Sequence, residues 1–194
     1  MVDAGRALEA LVDMGIPYVA SPMGRGIVPD DNPHFVNAAR SAALRGADAI
    51  VMVGGRFNWI FSFGSSTRFA PDVKIAQIEI EPEEFYSGAK IDLGITADAR
   101  GAIEQLNAAL EDRTLACNGT TWLSDLAEAR DKNQASLRAR MESDAVPIDP
   151  HRVLSELAQT LPRNASIAVD GETTMGIARQ ILPSFEPRHR FNSG

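Results

Sequence analysis

The stretch that decides the fold is residues 48–53, with the sequence DAIVMV, and two glycines, Gly54 and Gly55, follow it directly. It is apolar almost throughout and lacks the polar alternation of a strand with one solvated face. Such a strand is expected to be covered on both faces, as in a parallel sheet inside an α/β layer fold.

Helical and strand patterns alternate on both sides of this stretch. The predicted helices cover 4–14, 34–45 and 98–110, and the other predicted strands cover 17–20, 73–80 and 91–96. The alternation predicts an α/β fold, with a doubly wound, mainly parallel sheet and helices on both of its faces. Such sheets bind ligands at the carboxyl ends of their strands. The candidate ligand-binding segments are therefore residues 21–26, 54–58 and 79–81.

The second half of the chain predicts a connector helix and the start of another domain. A charged helical pattern covers 120–143, and Asp149 can cap a helix that begins at Pro150. A strand over 165–169 and a helix over 173–182 follow. The predicted domains are therefore 1–113, a connector over 114–147, and an incomplete βα domain over 148–194.

One strand and one helix cannot close a core of their own. Unpartnered, this last segment would expose the apolar face formed by Ile177, Ile181 and Leu182. The segment is therefore expected to pack back on the central domain, to be disordered, or to be covered by another chain. The neighbouring basic cluster 188–190 is expected on a solvated or interdomain face.

The composition restricts the function. The chain of 194 residues has 19 basic and 26 acidic residues and a formal charge of −7, which argues against nucleic-acid binding through a basic face. No apolar run is long enough to span a bilayer, so no membrane association is expected. Cys117 is the only cysteine, which excludes an intrachain disulfide and fits a reducing, cytoplasmic setting. The histidines His34, His151 and His189 lack metal-ligand spacing, so no metal site is expected.

Two strand ends carry the first candidate binding residues. Gly54 and Gly55 let the backbone approach a ligand closely, and Arg56 can pair with a phosphate. Glu79 ends the next strand, where an acid can hold ribose hydroxyls. The alternative is a tight turn with a surface arginine and a solvated acid.

Two further candidates lie at predicted helix starts. Asp98 precedes a helix and is the natural residue to cap it. Gly171, Glu172 and Thr173 lie between a strand and a helix N-terminus, which favours an anion such as a diphosphate. The alternative for this second segment is a capping turn. No residue is assigned a catalytic role.

Four segments together resemble the thiamine-diphosphate-dependent enzymes. They are 15–33 (GIPYVASPMGRGIVPDDNP), 47–59 (ADAIVMVGGRFNW), 71–85 (PDVKIAQIEIEPEEF), and 148–194, which contains DGETTMGIARQ. The first three, together with the helix that Asp98 begins, are similar to the central domain of that family, and the last is similar to the opening of its C-terminal domain. Residues 56–59 (RFNW) and 187–190 (PRHR) are more similar to the oxalyl-CoA decarboxylase and 2-hydroxyacyl-CoA lyase branch than to acetolactate synthase.

The resemblance implies a role for each candidate. Arg56 would meet the phosphates of an adenine nucleotide (ADP, part of coenzyme A, or FAD), Glu79 its ribose, and Asp98 the region near its adenine. Residues 171–173 would touch the phosphates of thiamine diphosphate. The family's chemistry breaks a C–C bond and releases CO₂ or an aldehyde, with the thiamine ring as electron sink.

The resemblance also implies that parts of the enzyme lie outside this chain. The family's catalytic glutamate belongs to an N-terminal domain, and its Mg²⁺ is held by a Gly-Asp-Gly…Asn segment that does not occur here. The chain is therefore expected to be a piece of a homo-oligomeric enzyme, inactive alone. The open alternatives are a fragment of an acetolactate synthase-type carboligase, a non-catalytic adenine-nucleotide-binding module, and a structural domain with a vestigial pocket.

Overall fold

The computed structural model describes residues 4–115 and 120–192, so Cys117 lies outside the described residues. The described chain divides into two compact units. The first contains residues 4–16, 40–115 and Thr120, and the second contains 17–39 and 121–192. Neither unit is continuous in sequence. The boundaries at 113 and 148 that the sequence indicated stay a prediction.

The first unit is built on a three-stranded parallel sheet. Its strands are β1 (Ala49–Val53), β2 (Lys74–Glu79) and β3 (Leu93–Thr96), in the order β1-β2-β3. Val53 pairs with Ile78 of β2, and Glu79 pairs with Thr96 of β3. All three strands therefore end at the same edge of the sheet.

Helices cover both faces of this sheet. Helices α1 (Ala4–Asp13) and α3 (Ala99–Leu110) contact each other, and their buried residues Leu11 and Ile103 pack in one cluster with Ile78 of β2. Ile75 lies three residues earlier on β2 and therefore faces the other side, where it packs in a second cluster. That cluster contains Leu44 of α2 (Arg40–Gly46) and the aromatic residues Phe57, Phe61 and Phe69. The predicted α/β class is confirmed.

Strand β1 is less covered than its composition predicts. The cluster of α1 and α3 includes Val53 at the end of β1, whereas Val51 remains 48% exposed. The expectation that this strand is covered on both faces is wrong. The reason is its position, because β1 is an edge strand of the described sheet and the helices reach only its carboxyl end.

The second unit combines three helices with a short sheet. The helices are α4 (Trp122–Met141), α5 (Pro150–Thr160) and α6 (Glu172–Ile181), and the strands are β4 (Ile167–Val169) and β5 (Arg190–Asn192). Strands β4 and β5 pair in parallel. As predicted, Asp149 caps α5, because its Oδ1 accepts a hydrogen bond of 2.8 Å from the backbone N–H of His151.

The apolar face of the last segment is largely covered within the second unit. Ile177 and Leu182 are buried, and Leu182 packs with Ile167 and Ala178 in a small core. The unit contains more than the residues after 148, because the segment 17–39 and strand β5 also belong to it.

The strand predicted over 17–20 is also wrong, since Tyr18 forms a single bridge to Phe35. Pro17 lacks a backbone N–H, and the Tyr18 hydroxyl donates instead to the carbonyl of Pro29 at 2.9 Å. The helix predicted over 34–45 begins later than expected. Asn37 uses its side chain to bind both backbone groups of Ala20, at 2.9 and 3.3 Å, and the α-helix starts only at Arg40.

No helix among the described residues is long and apolar enough to cross a membrane.

Candidate functional site

The three strand ends of the first unit bring the predicted nucleotide-binding residues to one edge. The Gly54 N–H donates to the Ile78 carbonyl at 2.9 Å, which carries the β1–β2 ladder into the turn. The Ala97 N–H donates to the Glu79 carbonyl at 3.1 Å, which does the same between β2 and the residue before Asp98. The edge therefore presents the turn 54–56, Glu79 and Asp98 side by side, where parallel sheets bind ligands.

The geometry of the turn requires a glycine at its first position. Gly54 has a φ of +56°, in the left-handed region that L side chains rarely adopt. A Cβ placed on Gly55 would lie 2.7 Å from the sulfur of Met52, so the flexible end of that side chain would have to move. The turn therefore depends on Gly54 more strongly than on Gly55.

Arg56 extends from this turn into solvent. Its side chain is 66% exposed, and its Nε lies 3.3 Å from Oε1 of Glu84. An exposed ion pair of this kind contributes little, so a phosphate can replace the carboxylate without large cost. The sequence reasoning missed Glu84, although the acidic run 81–84 (EPEE) is a signal for a carboxylate near the second strand end.

The other two acids at this edge bind backbone groups. Glu79 accepts from the N–H of Ile80 through Oε1, at 2.8 Å. Asp98 accepts from the N–H groups of Arg100 and Gly101 through Oδ1, at 3.0 and 3.3 Å. The interpretation of Asp98 as a helix cap is confirmed, and its role near an adenine stays a prediction.

The segment after Arg56 has an unusual backbone. A 3₁₀ segment covers Trp59–Gly64, and inside it Ser62 and Phe63 have φ values of 50° and 51°. Non-glycine residues rarely adopt this conformation, which clusters at functional sites. No pattern in the sequence predicts this conformation. The aromatic rings of Trp59 and Phe63 are exposed.

The second unit holds the predicted diphosphate segment at the start of α6. Gly171 has a φ of +77° and directly precedes the helix, and Gly171, Glu172 and Thr173 are exposed. A Cβ on Gly171 would meet nothing closer than the hydroxyl of Thr174 at 3.9 Å, so there is room beside the backbone for a phosphate. The positive end of the helix dipole favours an anion here, although the carboxylate of Glu172 opposes it.

A buried cluster of charges, which the sequence reasoning missed, lies in the second unit. Asp30 accepts from Arg25 and, at 2.7 Å, from the N–H of Ser184, and the side chains of the Arg25–Asp30 pair are 6% and 4% exposed. Arg25 also donates to the Arg179 carbonyl at 2.9 Å. Arg190, 1% exposed, donates to the Leu182 carbonyl at 3.1 Å. The expectation that cluster 188–190 is solvated or interdomain is therefore wrong for Arg190, since β5 carries it into the unit's interior.

This cluster has an excess of positive charge. Arg25, Arg179 and Arg190 outnumber the single carboxylate of Asp30. Burial lowers the pKa of Arg190 to about 10, and repulsion from Arg25 and Arg179 adds to this effect. Burial raises the pKa of Asp30 against the opposing attraction of Arg25. Among the described residues, no partner binds the Nε of any of the three arginines or the Nη2 of Arg190, so these N–H groups are buried without an acceptor.

A second, partly exposed charge network lies at the start of α5. Asp149 accepts from Nε of Arg140 at 2.9 Å, and its Oδ1 lies 2.9 Å from Nδ1 of the buried His151. The hydrogen bond from Arg140, followed by that from the His151 backbone, lowers the pKa of Asp149 to about 2. Its capping role explains this network. In the part of the chain that the structure describes, no three His, Cys, Asp or Glu residues are grouped to hold a metal.

Comparison with known proteins assigns the class. A sequence model of the thiamine pyrophosphate enzyme central domain matches residues 2–106, more than half of the chain. The chain therefore belongs to the thiamine pyrophosphate enzyme family, as its sequence motifs indicated.

The relatives that the chain resembles include 2-hydroxyacyl-CoA lyases and an oxalyl-CoA decarboxylase. The chain is 33% identical to 2-hydroxyacyl-CoA lyase 1 of Homo sapiens over 193 residues, which cover 98% of this chain and 33% of the relative. It is 34% identical to 2-hydroxyacyl-CoA lyase 1 of Mus musculus, over 97% of this chain and 33% of the relative. It is 29% identical to oxalyl-CoA decarboxylase of Escherichia coli strain K12, over 96% of this chain and 33% of the relative. The chain thus spans about a third of the length of these relatives.

Proposed function

We propose that this chain supplies the nucleotide-binding part, and a portion of the diphosphate-binding part, of a thiamine-diphosphate-dependent lyase or decarboxylase. Its substrates would be of the 2-hydroxyacyl-CoA or oxalyl-CoA type, as the names of the relatives suggest. The observation that carries the nucleotide part is the arrangement of the turn 54–56, Glu79 and Asp98 at one sheet edge.

Each residue at this edge has a distinct task in the proposal. Arg56 exchanges the carboxylate of Glu84 for the phosphates of the nucleotide, which its planar guanidinium can bind with two parallel hydrogen bonds. Gly54 and Gly55 allow those phosphates to approach the backbone. Glu79 accepts hydrogen bonds from the ribose hydroxyls. Asp98 fixes the start of α3 through Oδ1 and faces the adenine end.

The arginine cluster of the second unit carries more positive than negative charge. Arg25 and Arg190 are 5% and 1% exposed, so a ligand at the surface does not reach them. Arg179 lies partly exposed on α6, and it is the member of the cluster that a negatively charged substrate would meet.

Residues 171–173 fit one end of thiamine diphosphate. The backbone N–H groups of Glu172 and Thr173 at the start of α6 would bind its phosphates. The Gly171 N–H donates to Oδ1 of Asp170 at 2.6 Å, and the missing side chain of Gly171 leaves space for the phosphates. The cofactor supplies an electron sink for the cleavage of a C–C bond. We expect the Mg²⁺ site and the catalytic acid outside this chain, the 194 residues to be inactive alone, and the whole enzyme to be a cytoplasmic homo-oligomer.

Calorimetric titration with ADP tests the nucleotide site. Replacement of Arg56 by alanine should weaken binding by about 1.5–3 kcal/mol, or roughly 10- to 150-fold, since a charge-assisted hydrogen bond is lost. Arg100→Ala is the matched control, because Arg100 is also exposed and paired with a glutamate, at 2.7 Å from Glu104. Equal affinities of the Arg56→Ala variant and the parent chain would remove Arg56 from the site.

A non-catalytic nucleotide-binding module is the second candidate. It is favoured by the location of all the proposed nucleotide residues within the first unit, which needs no thiamine cofactor to present them. This alternative predicts a thermal shift with ADP and none with thiamine diphosphate plus Mg²⁺. A shift with both ligands supports the enzyme.

A further inference from the structure

A buried amide lies directly beneath the turn that carries Arg56. Gln77, on the central strand β2, is fully buried. Among the described residues of the first unit, no other polar residue is buried. It pairs with Met52 on one side and Gly94 on the other. A buried amide is costly unless it is hydrogen-bonded, so its bonding is informative.

The hydrogen bond of Gln77 ends on the candidate site. Its Nε2 donates to the carbonyl oxygen of Gly55 at 3.1 Å. The ladder between β1 and β2 has its last rung at Gly54, whose N–H donates to Ile78. Beyond that rung the turn has left the sheet, and the Gly55 carbonyl is held by the Gln77 side chain in place of a strand partner.

This bond also fixes the next N–H group. The Gly55 carbonyl and the Arg56 N–H belong to one planar trans peptide, in which they point in opposite directions. A carbonyl held toward Gln77 therefore turns the Arg56 N–H away from the buried side chain. Because Gly54 and Gly55 have little conformational preference of their own, this orientation depends on the contact with Gln77.

We infer that Gln77 is a positioning residue for the phosphate site. It holds the Gly55–Arg56 peptide so that the Arg56 N–H faces the ligand and supplements the Arg56 guanidinium. The Oε1 of Gln77 has no hydrogen-bond partner among the described residues, so the amide is retained at a cost in stability. A buried glutamine that lowers stability and orients one peptide supports a role in ligand binding. This inference rests on the proposed nucleotide site.

The test replaces the amide with an apolar chain of similar length, Gln77→Met, in the full 194-residue chain. Ile75→Val is the matched control, because Ile75 is buried on the same strand and the same face, two residues away. Both variants are examined by ADP calorimetry, by thermal unfolding, and by hydrogen exchange of the amides in 54–58. The Gln77→Met variant should bind ADP at least about 10-fold more weakly, with faster exchange confined to 54–58. The Ile75→Val variant should lose thermal stability but keep its affinity and its exchange pattern.

The outcomes separate this inference from the proposed function. Unchanged ADP affinity in Gln77→Met, together with a clear loss in Arg56→Ala, would overturn the positioning role and leave the nucleotide site intact. Absence of ADP binding by the parent chain would instead count against the nucleotide site. In that case the exchange measurement still decides, because unchanged protection over 54–58 in Gln77→Met would show that Gln77 does not hold the turn.

Discussion

The buried pair of Arg25 and Asp30 makes the Asp30→Asn substitution a sensitive test of the second unit. The asparagine keeps an oxygen that can accept from the Ser184 N–H, so the change removes chiefly the negative charge. The carboxylate is the only acidic member of a cluster with three arginines, and the pair is nearly excluded from water. Solvent and salt therefore screen its loss only weakly.

The magnitude follows from three considerations. Removal of one partner of a buried ion pair costs about 3–5 kcal/mol, since it leaves an uncompensated charge. The Arg190 charge is unfavourable already, because the lowering of its pKa to about 10 corresponds to about 3 kcal/mol at neutral pH. Loss of the attraction from Asp30 makes the buried charge of Arg190 still less favourable. Burial also disfavours the charged form of Asp30 and raises its pKa, so removal of that charge offsets part of the cost. The expected loss in the free energy of unfolding is therefore at the lower end of the range, about 3 kcal/mol.

Urea unfolding followed by tryptophan fluorescence can measure this loss in the second unit. The chain has two tryptophans, Trp59 in the first unit and Trp122 in the second, so a Trp59→Phe background reports Trp122 alone. Asp31→Asn is the control, because it makes the same chemical change one residue away, in an exposed pair with Arg163. The control should change stability by less than about 1 kcal/mol.

A third variant tests the electrostatic origin of the effect. Addition of Arg190→Met to Asp30→Asn removes one repelled charge and should recover part of the lost stability. Equal, small losses for Asp30→Asn and Asp31→Asn would refute the reasoning, because they would show that the buried pair is worth no more than the exposed one.

The remaining predictions concern pH and backbone geometry. The pKa of Asp149 is lowered to about 2 by Arg140 and the backbone of α5, so the stability it confers is complete above about pH 4 and is lost as the pH falls toward 2. Thermal unfolding between pH 5 and pH 2 should therefore show a shallower acid decline in Asp149→Asn, which keeps the helix cap, and identical slopes would contradict this assignment. Gly64→Ala should destabilise by more than about 1 kcal/mol in denaturant titrations, because Gly64 has a φ of +70° and its new Cβ would lie 2.3 Å from Cβ of Ala89. Gly101→Ala, in an open position of α3, should stabilise by about 0.5–1 kcal/mol, and a loss of stability in this variant would show that the helix start is constrained in another way.

The elements of the first unit were predictable because their signals are local. The apolar runs 48–53 and 73–80 indicate β1 and β2 by their own composition, and Asp98 caps α3 by contacts with Arg100 and Gly101. The position of the turn 54–56 and of Glu79 at one sheet edge followed from the parallel arrangement, since parallel strands end on the same side.

The features that the sequence did not predict depend on contacts between residues that are far apart in the chain. The sequence places Gln77 in an apolar run, but its bond to the Gly55 carbonyl joins residues 22 positions apart. Arg190 was predicted to belong to a surface cluster because its neighbours in sequence are basic. Its burial depends instead on the pairing of β5 with β4. The exposure of Val51 likewise depends on which strands flank β1, and the spacing of apolar residues carries no information about that.

The discontinuous second unit has a consequence for the order of events during synthesis. Arg25 leaves the ribosome long before Arg179 and Ser184, which contact the same loop, and the separation between Arg25 and Arg179 is 154 residues. At roughly 5–20 residues per second, about 8–30 s pass before that loop meets its partners. The sheet of the first unit, whose strands all lie between residues 49 and 96, is complete well within this interval. During that time Arg25 and Asp30 can pair only with each other, and the segment 17–39 gains its contacts with Arg179 and Ser184 after the sheet has formed.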